Sequence, residues 1–367
     1  MMKGTKILRI SIYVIAIFVV TILAAEMTLR ILGYRHSSPN IMYDKYCYWR
    51  MAPNQKIHYK DAYGDDIYFS INSLGARGKE FPIKKPLGEK RIICVGDSYT
   101  YGWGVDDAQT YPARLQNLIN KDFENIKVIN YGCNGHTILH EADLIKKYGP
   151  KLSPDYVIVA TSINTDFYDI DELDFNLGCM PAPGYNLIKR SVLTTAIGNI
   201  LLKYWNSDKV KKIISHRKAM QSSSNKNNRG GIREWSKEAI AAIAISDVFA
   251  HDNEKKKAFE IYIDKLDELV KMADENKFKL IYVIVPFGVN GLDKAMIHSM
   301  YRKDGAMPAR QYFEFLKNRY GDKITLIELM SSFPFKDLFL PDSHLNAKGN
   351  RLAAEVIYKQ IKTVLEN

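Results

Sequence analysis

Four polar clusters in this chain stand directly after apolar runs, and each holds a group able to take part in acyl transfer. The run RIICVGDSYTYGWGV stops at Gly96-Asp97-Ser98, which lifts a serine hydroxyl out of a strand end. NYGCNGHT (130 to 137) is a glycine-rich turn that can aim backbone N–H groups outward, Gly135 among them. TSINTD (161 to 166) places Asn164 at a third strand end, and LFLPDSHLN sets Asp342 and His344 two residues apart ahead of a helix that Asn346 can cap. Together these groups suit a serine nucleophile: His344 takes the Ser98 proton and Asp342 holds the imidazole in the right tautomer. The Ser98 N–H, the Gly135 N–H and the Asn164 amide would then stabilise the oxyanion. Singly, each has an ordinary explanation. Ser98 can cap the following helix, Asn164 a strand end, Asp342 can form a turn, and His344 can be a surface loop histidine. Thr100 stands where a G-x-S-x-G elbow needs its second glycine, and no phosphate-binding G-x-x-x-x-G-K-[ST] occurs.

Taken in order, the four blocks resemble those of the SGNH (GDSL-type) hydrolase family, over about residues 90 to 365. GDSYTYG is similar to the first block with Ser98 as nucleophile, and NYGCNGHT to the second with Gly135 as oxyanion glycine. SINTD is similar to the third with Asn164 as the amide, and PDSHLN to the last with Asp342 and His344 as acid and base. Two departures are visible. Ser162 and Thr165 stand where the family's third block has glycine and aspartate, with Asp166 one place later, and one residue separates Asp342 from His344 where many members have two. The resemblance implies a flavodoxin-like SGNH hydrolase fold and a serine esterase acting on an O-acyl ester, such as an acetylated cell-surface glycan or a lipid. An O-acyltransferase using the same acyl-enzyme is a second reading. A non-catalytic glycan-binding protein with a degraded third block is a third.

The elements that must position these groups are legible independently. RIICVGDS (91 to 98), KVINYG (127 to 132), YVIVATSIN (156 to 164), KLIYVIVP (279 to 286) and KITLIEL (323 to 329) are short, nearly continuous apolar runs. Such runs suit parallel strands covered on both faces. Helical spacing recurs between them at about 110 to 121, 138 to 149, 256 to 276, 308 to 320 and 347 to 364. The alternation predicts an α/β fold, a three-layer doubly wound parallel sheet whose working residues lie where strands end. The interval from about 170 to 255 breaks the rhythm and reads as an insertion. It holds helix candidates at 191 to 205 and 235 to 250 and the polar tract SSSNKNNRGG.

The first 36 residues read as a membrane anchor. Ile10 to Ala25 carries no charge, and its 16 residues, extended by Ile7, Leu8 and the Met27 to Leu32 turn, approach the ~20 needed to span a bilayer core. A cleaved signal peptide and a buried helix are the alternatives; cutting after Ala24 or Ala25 would put Ile22 or Leu23 where a small residue is wanted. Lys3, Lys6 and Arg9 ahead of the span favour a cytoplasmic N-terminus and an extracytoplasmic body. Residues 37 to 89 show no sustained period and read as a linker and lead-in, with the hydrolase-like domain at 90 to 367.

With 46% hydrophobic and 25% charged residues, a disordered or fibrous chain is excluded. The net charge of +11 favours anionic partners, but no helix-turn-helix, zinc finger or aromatic-basic RNA motif is present, so no nucleic acid is expected. Cys47, Cys94, Cys133 and Cys179 lack metal or redox spacing. His136 and His140, at i and i+4, are the near case for a metal pair, but no third ligand accompanies them; neither metal nor organic cofactor is expected. Tyr99, Tyr101 and Trp103 follow the serine closely and suit either pocket lining or packing of a helix start.

Overall fold

The computed structural model describes residues 2–31, 41–60, 65–162, 253–286, 308–333, 337–340 and 343–366. The chain divides into two compact units, one of Met1–Tyr43 with Pro181–Lys218 and one of Asp44–Met180 with Ala219–Asn367. In the first, helix α1 spans Met2–Ile31, and its stretch Ser11–Thr28 is long and apolar enough to cross a membrane, a property shared with signal sequences. The hydroxyls of Thr21 and Thr28 donate to the carbonyls of Ile17 and Ala24 one turn back, so these polar groups need no water.

Strand β1 (Ile41–Asp44) precedes the elements of the second unit. There, β2 (Tyr48–Met51) leads into an antiparallel pair, β3 (Gln55–Lys60) with β4 (Asp66–Ile71), running from Gln55 opposite Ile71 to Lys60 opposite Asp66. The central sheet has five parallel strands: β5 (Lys90–Gly96), β6 (Ile126–Asn130), β7 (Tyr156–Ser162), β8 (Lys279–Val285) and β9 (Ile324–Glu328). Their spatial order is β6-β5-β7-β8-β9. In β7 every residue is buried, as the unbroken apolar run requires of a strand covered on both faces. At the sheet edge, Gln116 fills the place of a missing strand: its amide donates to the carbonyl of Ile126 and accepts from the N–H of Val128.

Helices α2 (Ser98–Tyr101), α3 (Tyr111–Ile119), α4 (Ile138–Leu152), α5 (Asn253–Asn276), α6 (Pro308–Tyr320) and α7 (Ala347–Glu366) complete the unit. Thr110 caps α3 by accepting from the N–H of Ala113, and Asn346 caps α7 through the N–H groups of Lys348 and Gly349. Helix α3 packs on α7, and α4 on α5. Right-handed crossovers place these two pairs on opposite faces of the sheet. The order reverses between β6 and β7, with β5 central, so the crevice at the C-terminal ends of β5, β6 and β7 is the topological switch point of the fold.

All five strands and five helices expected from the sequence are present. Two boundaries differ at the site: β5 ends at Gly96, and β6 at Asn130, because the residues that follow turn out of the sheet. The strands between Tyr48 and Ile71 lie in the stretch without sustained period. β4 does alternate, burying Ile67, Phe69 and Ile71 while Asp66 and Tyr68 face out, but over only six residues. Of the insertion expected from about 170 to 255, residues 170–252, with both of its helix candidates, lie outside the described residues, and 253–255 begin α5.

Candidate active site

The turn that carries Ser98 is built by close approaches that only glycine permits. A Cβ on Gly96 would lie 2.8 Å from the carbonyl oxygen of Ala160 in β7. One on Gly132 would lie 2.2 Å from the backbone N of Tyr101. Between these contacts Asp97 is buried, and its carboxylate accepts from the N–H of Tyr99 at 2.8 Å. Asp97 therefore caps α2, and the Ser98 hydroxyl is left to other uses.

Ser98 Oγ lies 2.8 Å from His344 Nε2, across 246 residues of sequence. The imidazole is delivered by a tight loop. The N–H of Leu340 donates to the carbonyl of His344 (2.7 Å) and that of Ser343 to the carbonyl of Leu340 (2.9 Å). Ser343, buried and left-handed at φ 78°, accepts at its carbonyl from the Tyr99 hydroxyl at 3.0 Å, which bolts the histidine loop to helix α2. Asn350 adds a second tie, accepting from the N–H of Tyr111 and donating to the carbonyl of Leu345. Tyr99 and Trp103 both stand against the imidazole, with ring centroids at 5.3 and 5.9 Å.

Gly135 sits at φ 73° in the turn after β6. That turn is fastened to β5 by bonds from the N–H of Tyr131 to the carbonyl of Cys94 and from that of Cys133 to the carbonyl of Gly96, at 2.8 and 2.9 Å. Behind it, the Trp49 indole donates to the carbonyl of Asn134 (3.2 Å), and His136 Nε2 lies 2.9 Å from the carbonyl of Trp49. His140 Nδ1 accepts from the N–H of Thr137, which places its ring proton on Nε2. Both rings are buried and stacked at 5.1 Å. Burial depresses the pKa of His136 to about 4 and that of His140 well below the ordinary value, so both are neutral supports of the turn. Among the described residues no group of three or more His, Cys, Asp or Glu side chains is placed to hold a metal ion. Burial likewise pushes the Cys133 and Cys94 thiols up, away from thiolate character. Asn164 and Asp342 lie outside the described residues.

Three supports were not visible in the sequence. Arg77 is buried and donates to the carbonyls of Tyr101, Gly102 and Val105, while its Nε pairs with Asp107 at 2.9 Å. Its guanidinium lies over the rings of Phe69 and Tyr101, at 4.7 and 4.8 Å. Trp49 is the second. Glu141, fully buried in α4 with neither carboxyl oxygen hydrogen-bonded, is the third: burial first, then the nearby Asp97, holds its pKa well above the usual carboxylate range. Nothing in an isolated Arg, Trp or Glu announces such a place.

Residues 94–210, about a third of the chain, match the model of the GDSL-like Lipase/Acylhydrolase family. The chain thus resembles the GDSL-type hydrolases over that span. The matched span begins in β5 and takes in the Ser98, Gly135 and Asn164 blocks, and the enzyme class is that of serine hydrolases acting on esters. No curated protein matches the chain. Among solved structures, the chain is similar to a variant of Axe2, an acetyl-xylooligosaccharide esterase from Geobacillus, at 16% identity over 76% of this chain and 96% of that one, TM-score 0.39. It is similar also to the esterase EstA from Pseudoalteromonas sp. (13%, 76% and 100%, 0.37) and to LAE5, an alpha/beta hydrolase from the metagenome of Lake Arreo (15%, 74% and 95%, 0.38). At such identities and scores no substrate transfers to this chain.

Proposed function

We propose that this chain is a membrane-anchored esterase that cleaves an O-acyl ester of a carbohydrate or lipid, with Ser98 as nucleophile, His344 as general base and Asp342 as the carboxylate orienting it. The observation that carries the reading is the 2.8 Å approach of Ser98 Oγ to His344 Nε2. At that distance the hydroxyl can donate to the imidazole while Oγ attacks the carbonyl carbon; the imidazolium then protonates the leaving alcohol, and water repeats the sequence on the acyl-enzyme. The Ser98 N–H, Gly135 N–H and Asn164 amide are assigned to the oxyanion. Each such donor is typically worth about 3 kcal/mol, so losing one costs on the order of a hundredfold in turnover. The anchor is assigned to α1, with the catalytic unit outside the cytoplasm, on the apolar stretch Ser11–Thr28 and the cations ahead of it.

The test is hydrolysis of p-nitrophenyl acetate and longer acyl esters by the detergent-solubilised full chain, beside Ser98→Ala, His344→Ala, Asp342→Asn and Asn164→Ala. Turnover in the parent, abolished in the first two variants with folding retained, is the expected result. Undiminished turnover in Ser98→Ala overturns the assignment. Acyl transfer to an added oligosaccharide in preference to water would make the enzyme an acyltransferase.

A further inference from the structure

We propose that Trp103 and Tyr59 form an aromatic wall that binds the alcohol half of the ester, and that this half is a sugar ring; the inference rests on the Ser98/His344 reading. Two rings stand against the His344 imidazole, and they differ in kind. Tyr99 is buried and bonded to the carbonyl of Ser343, so it is structural. Trp103, tilted 40° to the imidazole, is 39% exposed. Tyr59 of β3 continues the surface, its ring 6.5 Å from that of Trp103. It is held edge-on at 6.2 Å by the buried Phe69.

The loop that carries Trp103 is held rigidly. Arg77 binds the carbonyls of Tyr101, Gly102 and Val105 on either side of the indole. Gly104, at φ 71°, abuts Leu340 of the histidine loop so closely that a Cβ would lie 2.4 Å from Leu340 Cδ1. A ring fixed in advance loses little conformational entropy when a ligand stacks on it.

The chemistry assigns which half of the substrate meets this wall. In acylation the Oγ to carbonyl-carbon bond forms, the Ser98 proton passes to His344 Nε2, the carbonyl-carbon to alcohol-oxygen bond breaks, and the proton on Nε2 moves to that oxygen. The alcohol therefore departs beside the imidazole, and rings next to the imidazole touch the alcohol rather than the acyl group. A fatty alcohol calls for an enclosed apolar channel. Two part-exposed rings suit a molecule with one flat C–H face and hydroxyls around its rim, which is a pyranose.

The experiment compares kcat/KM of the full chain for a mono-O-acetylated methyl pyranoside, ethyl acetate and decyl acetate, in the parent, Trp103→Ala, Trp103→Phe, Tyr59→Ala and Ser98→Ala. The expected result is that Trp103→Ala lowers the preference for the pyranoside ester over ethyl acetate by about tenfold or more, chiefly through KM. Tyr59→Ala should shift it in the same direction, and Trp103→Phe should recover most of it. Equal losses on pyranoside and ethyl esters, or a larger loss on decyl acetate, would overturn the sugar assignment while leaving the nucleophile intact. A Ser98→Ala enzyme that still hydrolyses ethyl acetate, or a parent inactive on every ester, would overturn the underlying reading and the wall with it.

Discussion

Tyr99 does two things from one position: its ring packs on the imidazole, and its hydroxyl holds the Ser343 carbonyl two bonds from the His344 backbone. Removing only the hydroxyl separates them. Tyr99→Phe is expected to cost about 1 kcal/mol of stability, the usual worth of one buried hydrogen bond, measured by urea unfolding. It should also lower kcat more than KM, because the loop that aims His344 loses its tie. At this scale the sequence was informative about chemistry and silent about support. The block pattern pointed to Ser98 and His344 jointly, since each type alone has an ordinary use as a cap or a surface loop residue. That Asp97 and not Ser98 caps α2 depends on backbone angles that no residue type announces.

At the scale of elements, the site is two turns pressed together and held by a strand pair that precedes them in sequence. Gly132 lets the β6 turn touch the backbone of α2, and Gly132→Ala forces a Cβ against main-chain atoms that cannot swing aside. A loss of about 3 kcal/mol is expected, read as a fall in melting temperature, with turnover reduced well before global unfolding. Arg77 binds the other end of α2. Arg77→Met keeps the bulk but strips three carbonyls of their donor; about 3 kcal/mol should be lost, and Arg77→Lys should restore only a fraction because one ammonium cannot match the guanidinium fork. The stretch 37 to 89, featureless by period, thus contributes Trp49, Phe69 and Arg77 to the surroundings of the site. Its strands are four to six residues long, too short for alternation to stand out, and their partners are chosen by tertiary packing.

For the whole molecule, buried titratable groups set a pH dependence of stability. His136 has a folded pKa of about 4, below its ordinary 6.5, so between those values the unfolded chain binds a proton that the native chain refuses. Stability is then intact above pH 6.5 and falls by about 3 kcal/mol as pH drops towards 4, with His140 adding in the same sense. Glu141 acts oppositely: its pKa is raised by burial, so its contribution erodes as pH rises above about 4.5, where the unfolded carboxyl ionises. Urea midpoints from pH 4 to 8 should show the acid loss, His136→Gln should flatten it, and Glu141→Gln should raise stability at neutral pH. Fractionation tests the anchor: the full chain should remain with membranes after carbonate washing at its unshortened mass, whereas processing after α1 would release a shorter product. The sequence by itself determined the parallel α/β sheet, the five helices between and after its strands and the apolar N-terminal span, and it singled out Ser98 and His344 as candidates. The elements follow from local periodicity; the two residues stood out only when the polar blocks were taken together. Only the tertiary structure decided that 246 residues of separation close to 2.8 Å, that Asp97 takes the capping role, and that Arg77 and Trp49 buttress the turns, since these depend on contacts between segments distant in the chain.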